Sequence, residues 1–159
     1  MKKLYIFISI SSILILLGCN IEKNLKSTSL NAITLNNIKI YDNINDVDLS
    51  GYVKSNRFSE RNAKYNFENL VIDINKKNQV NYLFGFYSEN KVIINGKSNL
   101  KYINDITDIL KHNYKEAWED REQDLKYHSY YNKNQKVIFK VVYSIVSKEI
   151  VWVEIKSTD

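Results

Sequence analysis

Alternation is what most constrains this chain. Val80, Tyr82, Phe84 and Phe86 fall on one side of an extended strand and Asn81, Leu83, Gly85 and Tyr87 on the other. The same period of two runs through Val137, Phe139, Val141 and Tyr143, and through Ile150 to Ile155. Successive side chains of a strand point to opposite faces, so these runs specify sheet. Tyr65 to Ile74 and Val80 to Tyr87 bracket Lys76-Lys77-Asn78-Gln79, and Leu125 to Tyr131, Lys136 to Ser144 and Ile150 to Ile155 follow one another as closely. A parallel crossover needs a dozen residues or more, so connections of four to six residues dictate antiparallel neighbours.

A helical signal interrupts the strands. Ile106, Ile109 and Leu110 stand at i, i+3 and i+4, with Tyr114 on the same face, which predicts a helix over residues 105–112. Asp105 and Asp108 have the spacing of a capping box. Tyr114 to Glu122 reads as a continuation with Ala117 and Trp118 inward, and Asn45 to Tyr52 as a poorer helix cut by Gly51. The two halves echo each other. Ile33 to Ile40 reads as a hairpin around Asn36-Asn37, Val92 to Lys97 as one around Asn95-Gly96, and Ile44-Asn45-Asp46-Val47 is matched by Ile103-Asn104-Asp105-Ile106. The expected fold is therefore α+β, in two tandem modules at 33–90 and 91–159, each a short helical segment packed on an antiparallel β-sheet.

The N-terminus carries a different message. Lys2 and Lys3 precede a 14-residue run, Leu4 to Leu17, that is apolar apart from Tyr5, Ser9, Ser11 and Ser12. A membrane span needs about 20 residues, whereas this length suits the apolar region of a secretory signal. Leu16-Leu17-Gly18-Cys19 follows, and it resembles the lipobox of bacterial lipoproteins; Cys19 is the single cysteine of the chain. The resemblance implies that residues 1–18 are a cleaved signal peptide and that Cys19 carries palmitate-type acyl chains. It also implies a body lying outside the cytoplasm, in the cell envelope, lipid-anchored to the plasma or outer membrane. Residues 19–32, rich in Asn, Ser and Lys without periodicity, read as a flexible tether.

The order of elements over residues 33 to 155 resembles the small lipoproteins related to the outer-membrane assembly factor SmpA, and the β-lactamase-inhibitor-protein-like modules. Asn45 and Asn104 stand where those lipoproteins carry a Gly-rich start. That resemblance implies a short helical pair before each sheet and a role in binding other proteins.

Motifs for chemistry are sparse. Gly18, Gly51, Gly85 and Gly96 are isolated, so no phosphate-cradling loop exists, and no Gly-x-Ser-x-Gly elbow is present. His112 and His128 lie 16 residues apart, and even with Asp120 or Glu122 they match no metal-ligand spacing. The expectation is no catalytic residue, no metal and no cofactor. Removing residues 1–18 takes two lysines from the formal +5, and no dense Lys/Arg cluster supports a nucleic-acid partner.

Two surface features remain. Glu116, Glu119, Asp120, Glu122 and Asp124 place five carboxylates within nine residues around Trp118, opposite in sign to Lys54, Arg57, Arg61 and Lys64 of the first half. Tyr127, Tyr130 and Tyr131 surround His128, and alternation sends rings to both faces of one strand. Rings as anchors and carboxylates for steering suit a protein interface, giving Trp118, Glu119, Asp120, Glu122, Tyr127, Tyr130 and Tyr131 as candidate contacts. The expected function is that of an envelope lipoprotein acting as a protein-binding or structural module. A small-molecule or glycan-binding cleft is the alternative, and an envelope enzyme a third.

Overall fold

The computed structural model describes residues 25–30 and 32–159, across which nine strands form two sheets beside one α-helix. In chain order these are β1 (Ile33–Leu35), β2 (Tyr65–Asn66), β3 (Leu70–Ile74), β4 (Val80–Phe86), β5 (Val92–Ile94), α1 (Ile103–Leu110), β6 (Lys115–Asp120), β7 (Leu125–Asn132), β8 (Val137–Ser144) and β9 (Ile150–Ser157). Strands β1 and β5 pair with each other, and the other seven form a single antiparallel sheet in the order β2-β3-β4-β9-β8-β7-β6.

The expected α+β pair of helix-on-sheet modules is overturned: the protein is β-rich, with one helix among the described residues and one large sheet crossing from residues 33–90 into 91–159. The joint is the pairing of β4 with β9, where Leu83 faces Ile155 and Gly85 faces Val153. Each is the last strand of its half. Joining them removes two sheet edges that would otherwise expose rows of unpaired backbone groups. The echo in the sequence reappears here, because β1 and β5, the opening strands of the two halves, also pair, with Ile33 against Ile94.

The expected helices fail for local reasons. Asn43 accepts the Asn45 backbone N–H and starts a single 3-10 turn, Ile44–Asp46, after which Val47 leaves in an extended conformation. Asp48 then accepts the Ser50 N–H, so residues able to cap a helix close turns instead. Residues 115–120 are strand, paired along β7 from Lys115 opposite Ser129 to Trp118 opposite Lys126. Helix α1 forms two residues earlier than predicted because Asp105 acts at its third position, accepting the Tyr102 N–H at 2.8 Å. It ends at Lys111, whose φ is 66°.

Both short hairpins form with left-handed turn residues: Asn36 and Asn37 at φ 53° and 66°, Asn95 and Gly96 at 51° and 79°. Their apolar residues, including Leu35, Ile38 and Ile94, pack with Ile103, Ile106 and Leu110 of α1 over the inner sheet face of Ile72, Leu83, Phe139, Val141, Val153 and Ile155. On the outer face a smaller cluster gathers Phe58, Val71 and Phe84 with Phe86 and Trp152. Residues at the end of the stretch read as tether also lie on this body: Leu30 is buried in the main core, and the Thr28 N–H bonds the Tyr131 carbonyl at 2.8 Å.

Candidate functional site

Pairing of β6, β7 and β8 assembles a half-buried polar cluster from four side chains. Glu116 lies directly opposite His128, and the Lys126 and Tyr143 pair opposes in the same way across β7 and β8. Lys126 Nζ donates to Glu116 Oε1 at 2.6 Å, while the Tyr143 hydroxyl donates to Oε2 at 2.8 Å. His128 Nε2 stands 3.1 Å from the same Oε2. The ammonium above all, then the hydroxyl and imidazole, hold the Glu116 carboxyl down at about 2 against the opposing effect of desolvation.

His128 is buried at 4% exposure, and its Nδ1 has no hydrogen-bond partner. Desolvation lowers its pKa below the ordinary value, with the carboxylate of Glu116 pulling the other way. The neutral imidazole therefore donates from Nε2–H to Glu116 and leaves Nδ1 as an unused acceptor. Burial, then the bond to Glu116, raises the Tyr143 hydroxyl well above its ordinary pKa. With both carboxylate oxygens engaged, the cluster acts as a clamp that fastens the edge strand β6 to β7 and β8.

Trp118 sits on the same side of β6, 37% exposed, with the Arg121 guanidinium 5.2 Å and the Lys126 ammonium 5.3 Å from its ring. The five carboxylates around it do not make one acidic patch. Glu116 is tied to Lys126, and Glu119 reaches Lys140 at 2.6 Å. Asp120 Oδ1 accepts the backbone N–H groups of Glu122 and Gln123 and so shapes the β6–β7 turn, leaving Glu122 exposed.

Of the tyrosines, Tyr130 is fully buried in the main core and Tyr131 is 7% exposed, while Tyr127 is half-buried with the Lys140 ammonium 4.6 Å from its ring. Trp118, Glu119, Asp120 and Glu122 are thus brought together along one strand and its turn, and Tyr130 is a packing residue. The basic stretch is also committed. Arg57 pairs with Glu89 at 3.0 Å, and Arg61 lies 3.6 Å from the Phe84 ring centroid. Leu16, Leu17, Gly18 and Cys19 lie outside the described residues.

His112 is exposed beyond α1 and shares no carboxylate with His128. Among the described residues no group of three or more His, Cys, Asp or Glu is arranged to hold a metal. The sequence reading missed the roles of Glu116 and Tyr143. The available signal was period two in Glu116 and Trp118, which puts both on one face once residues 115–120 are taken as strand. No protein-family model matches the chain, and comparison with curated proteins and with solved structures finds no match for it.

Proposed function

We propose that this chain is an envelope lipoprotein, held by acyl chains on Cys19, whose sheet body binds a protein partner along β6 without catalysing a reaction. The observation that carries the reading is a sheet edge: β6 is an outermost strand of the seven-stranded sheet, none of the described residues forms a strand on its outer side, and it presents Trp118 to solvent. An edge strand offers a row of free N–H and C=O groups to an incoming strand, and an adjacent Trp supplies large area at little entropy cost. Val146, 79% exposed, lies on the neighbouring turn, since the Ile145 N–H bonds the Asp124 carbonyl at 3.0 Å. Neutralisation of Glu116 and Glu119 by lysines leaves the rings and the backbone edge as the main attraction, with Glu122 and Asp124 a minor steering charge.

A photo-reactive amino acid at position 118 tests this in intact envelopes. The expected result is cross-linking to one envelope protein, and Trp118→Ala is expected to weaken the purified pair by at least about 2 kcal/mol, roughly thirtyfold in Kd. An unchanged Kd moves the interface off β6. Labelled palmitate tests the anchor separately: Cys19→Ala is expected to abolish incorporation.

A further inference from the structure

We infer that the sheet end formed by the β3–β4 and β7–β8 turns is a docking surface for an anionic lipid membrane, setting the orientation of the body on the bilayer. This rests on the lipoprotein reading, which supplies the membrane. Lys76 and Lys77 occupy the first turn, and Lys133 and Lys136 the second. Strand order 3-4-9-8-7 separates the turns by three strand spacings, about 14 Å. Lys76, Lys77 and Lys136 line one hollow together with Tyr41, Ser157 and Asp159. Tyr41 ties the end together: its hydroxyl donates to the Gln135 carbonyl at 2.7 Å, and its N–H bonds the Val80 carbonyl. Lys39 stands beside it.

The chain also enters the body here. The Lys133 N–H bonds Ser27 Oγ at 2.9 Å, and Asn113 donates to the Lys26 carbonyl. Six residues lie between Cys19 and Lys26, seven chain steps that reach at most about 25 Å, so an acylated Cys19 holds this end near the bilayer. Lys26, Lys39, Lys76, Lys77, Lys133 and Lys136 are all exposed. Only Lys136 among them has an ion pair within the described residues, with Asp159. The Asp42 carboxylate accepts the Lys39 N–H, and Asp46 stands in the 3-10 turn whose Ile44 N–H bonds the Asn78 carbonyl, which leaves six ammonium groups against the three side-chain carboxylates of Asp42, Asp46 and Asp159.

The opposite end is close to balanced. Its turns carry Glu68, Glu89, Asp120, Glu122, Asp124 and Glu149 among Arg57, Lys91, Lys101, Arg121 and Lys148, with Arg57 and Lys101 paired to two of the carboxylates. An anionic surface thus draws the lysine end more strongly than the other. Lipid fits better than a protein partner because, among the described residues, the exposed large apolar ones (Val53, Tyr102, Trp118 and Val146) all lie away from the lysine end. Point charges without apolar anchors suit a diffuse headgroup layer.

The test uses the full chain isolated from membranes and mixed with vesicles of phosphatidylcholine alone, or of equimolar phosphatidylcholine and phosphatidylglycerol. A water-soluble lysine-acylating reagent is read out by mass spectrometry. Since each lysine at an anionic surface is worth about a fivefold preference, Lys39, Lys76, Lys77, Lys133 and Lys136 are expected to label at least about fivefold more slowly on the anionic vesicles, and Lys91 and Lys148 equally on both. High salt is expected to erase the difference, because the Debye length shrinks to about 3 Å at 1 M. The Lys76→Glu, Lys77→Glu, Lys133→Glu variant, folded by circular dichroism, is expected to lose the protection of Lys39 and Lys136. Equal labelling on both vesicles, or protection of Lys91 and Lys148 instead, overturns the inference. Palmitate incorporation separates the two readings. An acylated protein without the footprint refutes the docking surface alone, and an unacylated protein with it refutes the anchor alone.

Discussion

The ring of Tyr114 lies flat against the imidazole of His128, centroids 3.6 Å apart and planes 16° from parallel, while Tyr143 meets the same imidazole edge-on at 5.1 Å. Aromatic walls on two sides deprive the imidazolium of water. Nδ1 has no acceptor for the N–H that a second proton would create, so the folded state disfavours the imidazolium of His128. Around this pair stand every charged or titratable neighbour that bears on it: Glu116 on β6, Lys126 on β7, Tyr143 on β8, Tyr130 beside it, and His112 from beyond α1.

Acid is expected to unfold the protein through this cluster. The unfolded imidazole titrates near 6.5 and the folded one lower, so between the two values the unfolded chain binds more protons. The contribution is complete above about pH 6.5 and is lost as pH falls through the folded value. Glu116 works in the same direction from a lower start: its contribution is present above 4.5, the unfolded value, and fades toward about 2. Urea midpoints measured from about pH 7 to about pH 2 are expected to fall in two stages. His128→Phe, which keeps a ring against Tyr114, is expected to remove the upper stage only. A wild-type midpoint that is flat down to about pH 5 would show that His128 titrates normally.

Gly85→Ala is expected to destabilise the fold by about 1 to 3 kcal/mol, chiefly through one displaced side chain. A Cβ at position 85 would stand 2.6 Å from Asn90 Nδ2 and 3.2 Å from the Asn69 carbonyl oxygen. Asn90 Nδ2 donates to the carbonyls of Asn69 at 2.6 Å and Phe86 at 2.9 Å, and its Oδ1 accepts from Asn36 at 2.7 Å, tying the end of β4 to the first hairpin. In an Asn90→Ala background most of the cost is expected to vanish, because the clash and the bonds are removed together. Denaturant melts of the four-member cycle measure this, and additive costs would mean that Asn90 is not the obstacle.

Ile106→Ala and Leu110→Ala are each expected to cost about 2 to 5 kcal/mol, since both side chains are buried where α1 meets the inner face. Ile109, only half-buried on the same helix, is expected to cost less on the same change. Equal midpoint shifts for Ile106 and Ile109 would contradict the observed rotation of the helix.

Strand positions and antiparallel sense were legible because period two and short connections are local properties. Val137 to Tyr143 and Val80 to Phe86 appear as strands β8 and β4. The core face of α1 was legible for the same reason, through the spacing of Ile106 and Leu110. The site was read only in part. Trp118 is a surface residue of β6, but nothing local marks Tyr130 as core and Tyr127 as half-exposed, since both faces of β7 carry aromatic rings.

What the sequence determined by itself was the set of local conformations: alternating strands, left-handed Asn and Gly turns, one amphipathic helix, and the lipobox-like run ending at Cys19. Only the tertiary structure decided that β4 pairs with β9 and merges two expected sheets into one, because each of those strands alternates acceptably with more than one neighbour. It likewise decided that residues 115–120 are strand and not helix, since a six-residue segment with a single Trp and three carboxylates has no strong preference until β7 supplies a partner. That pairing sets Glu116 against His128, and the β7–β8 pairing sets Lys126 opposite Tyr143. Register between strands, which no window along the chain contains, made the clamp.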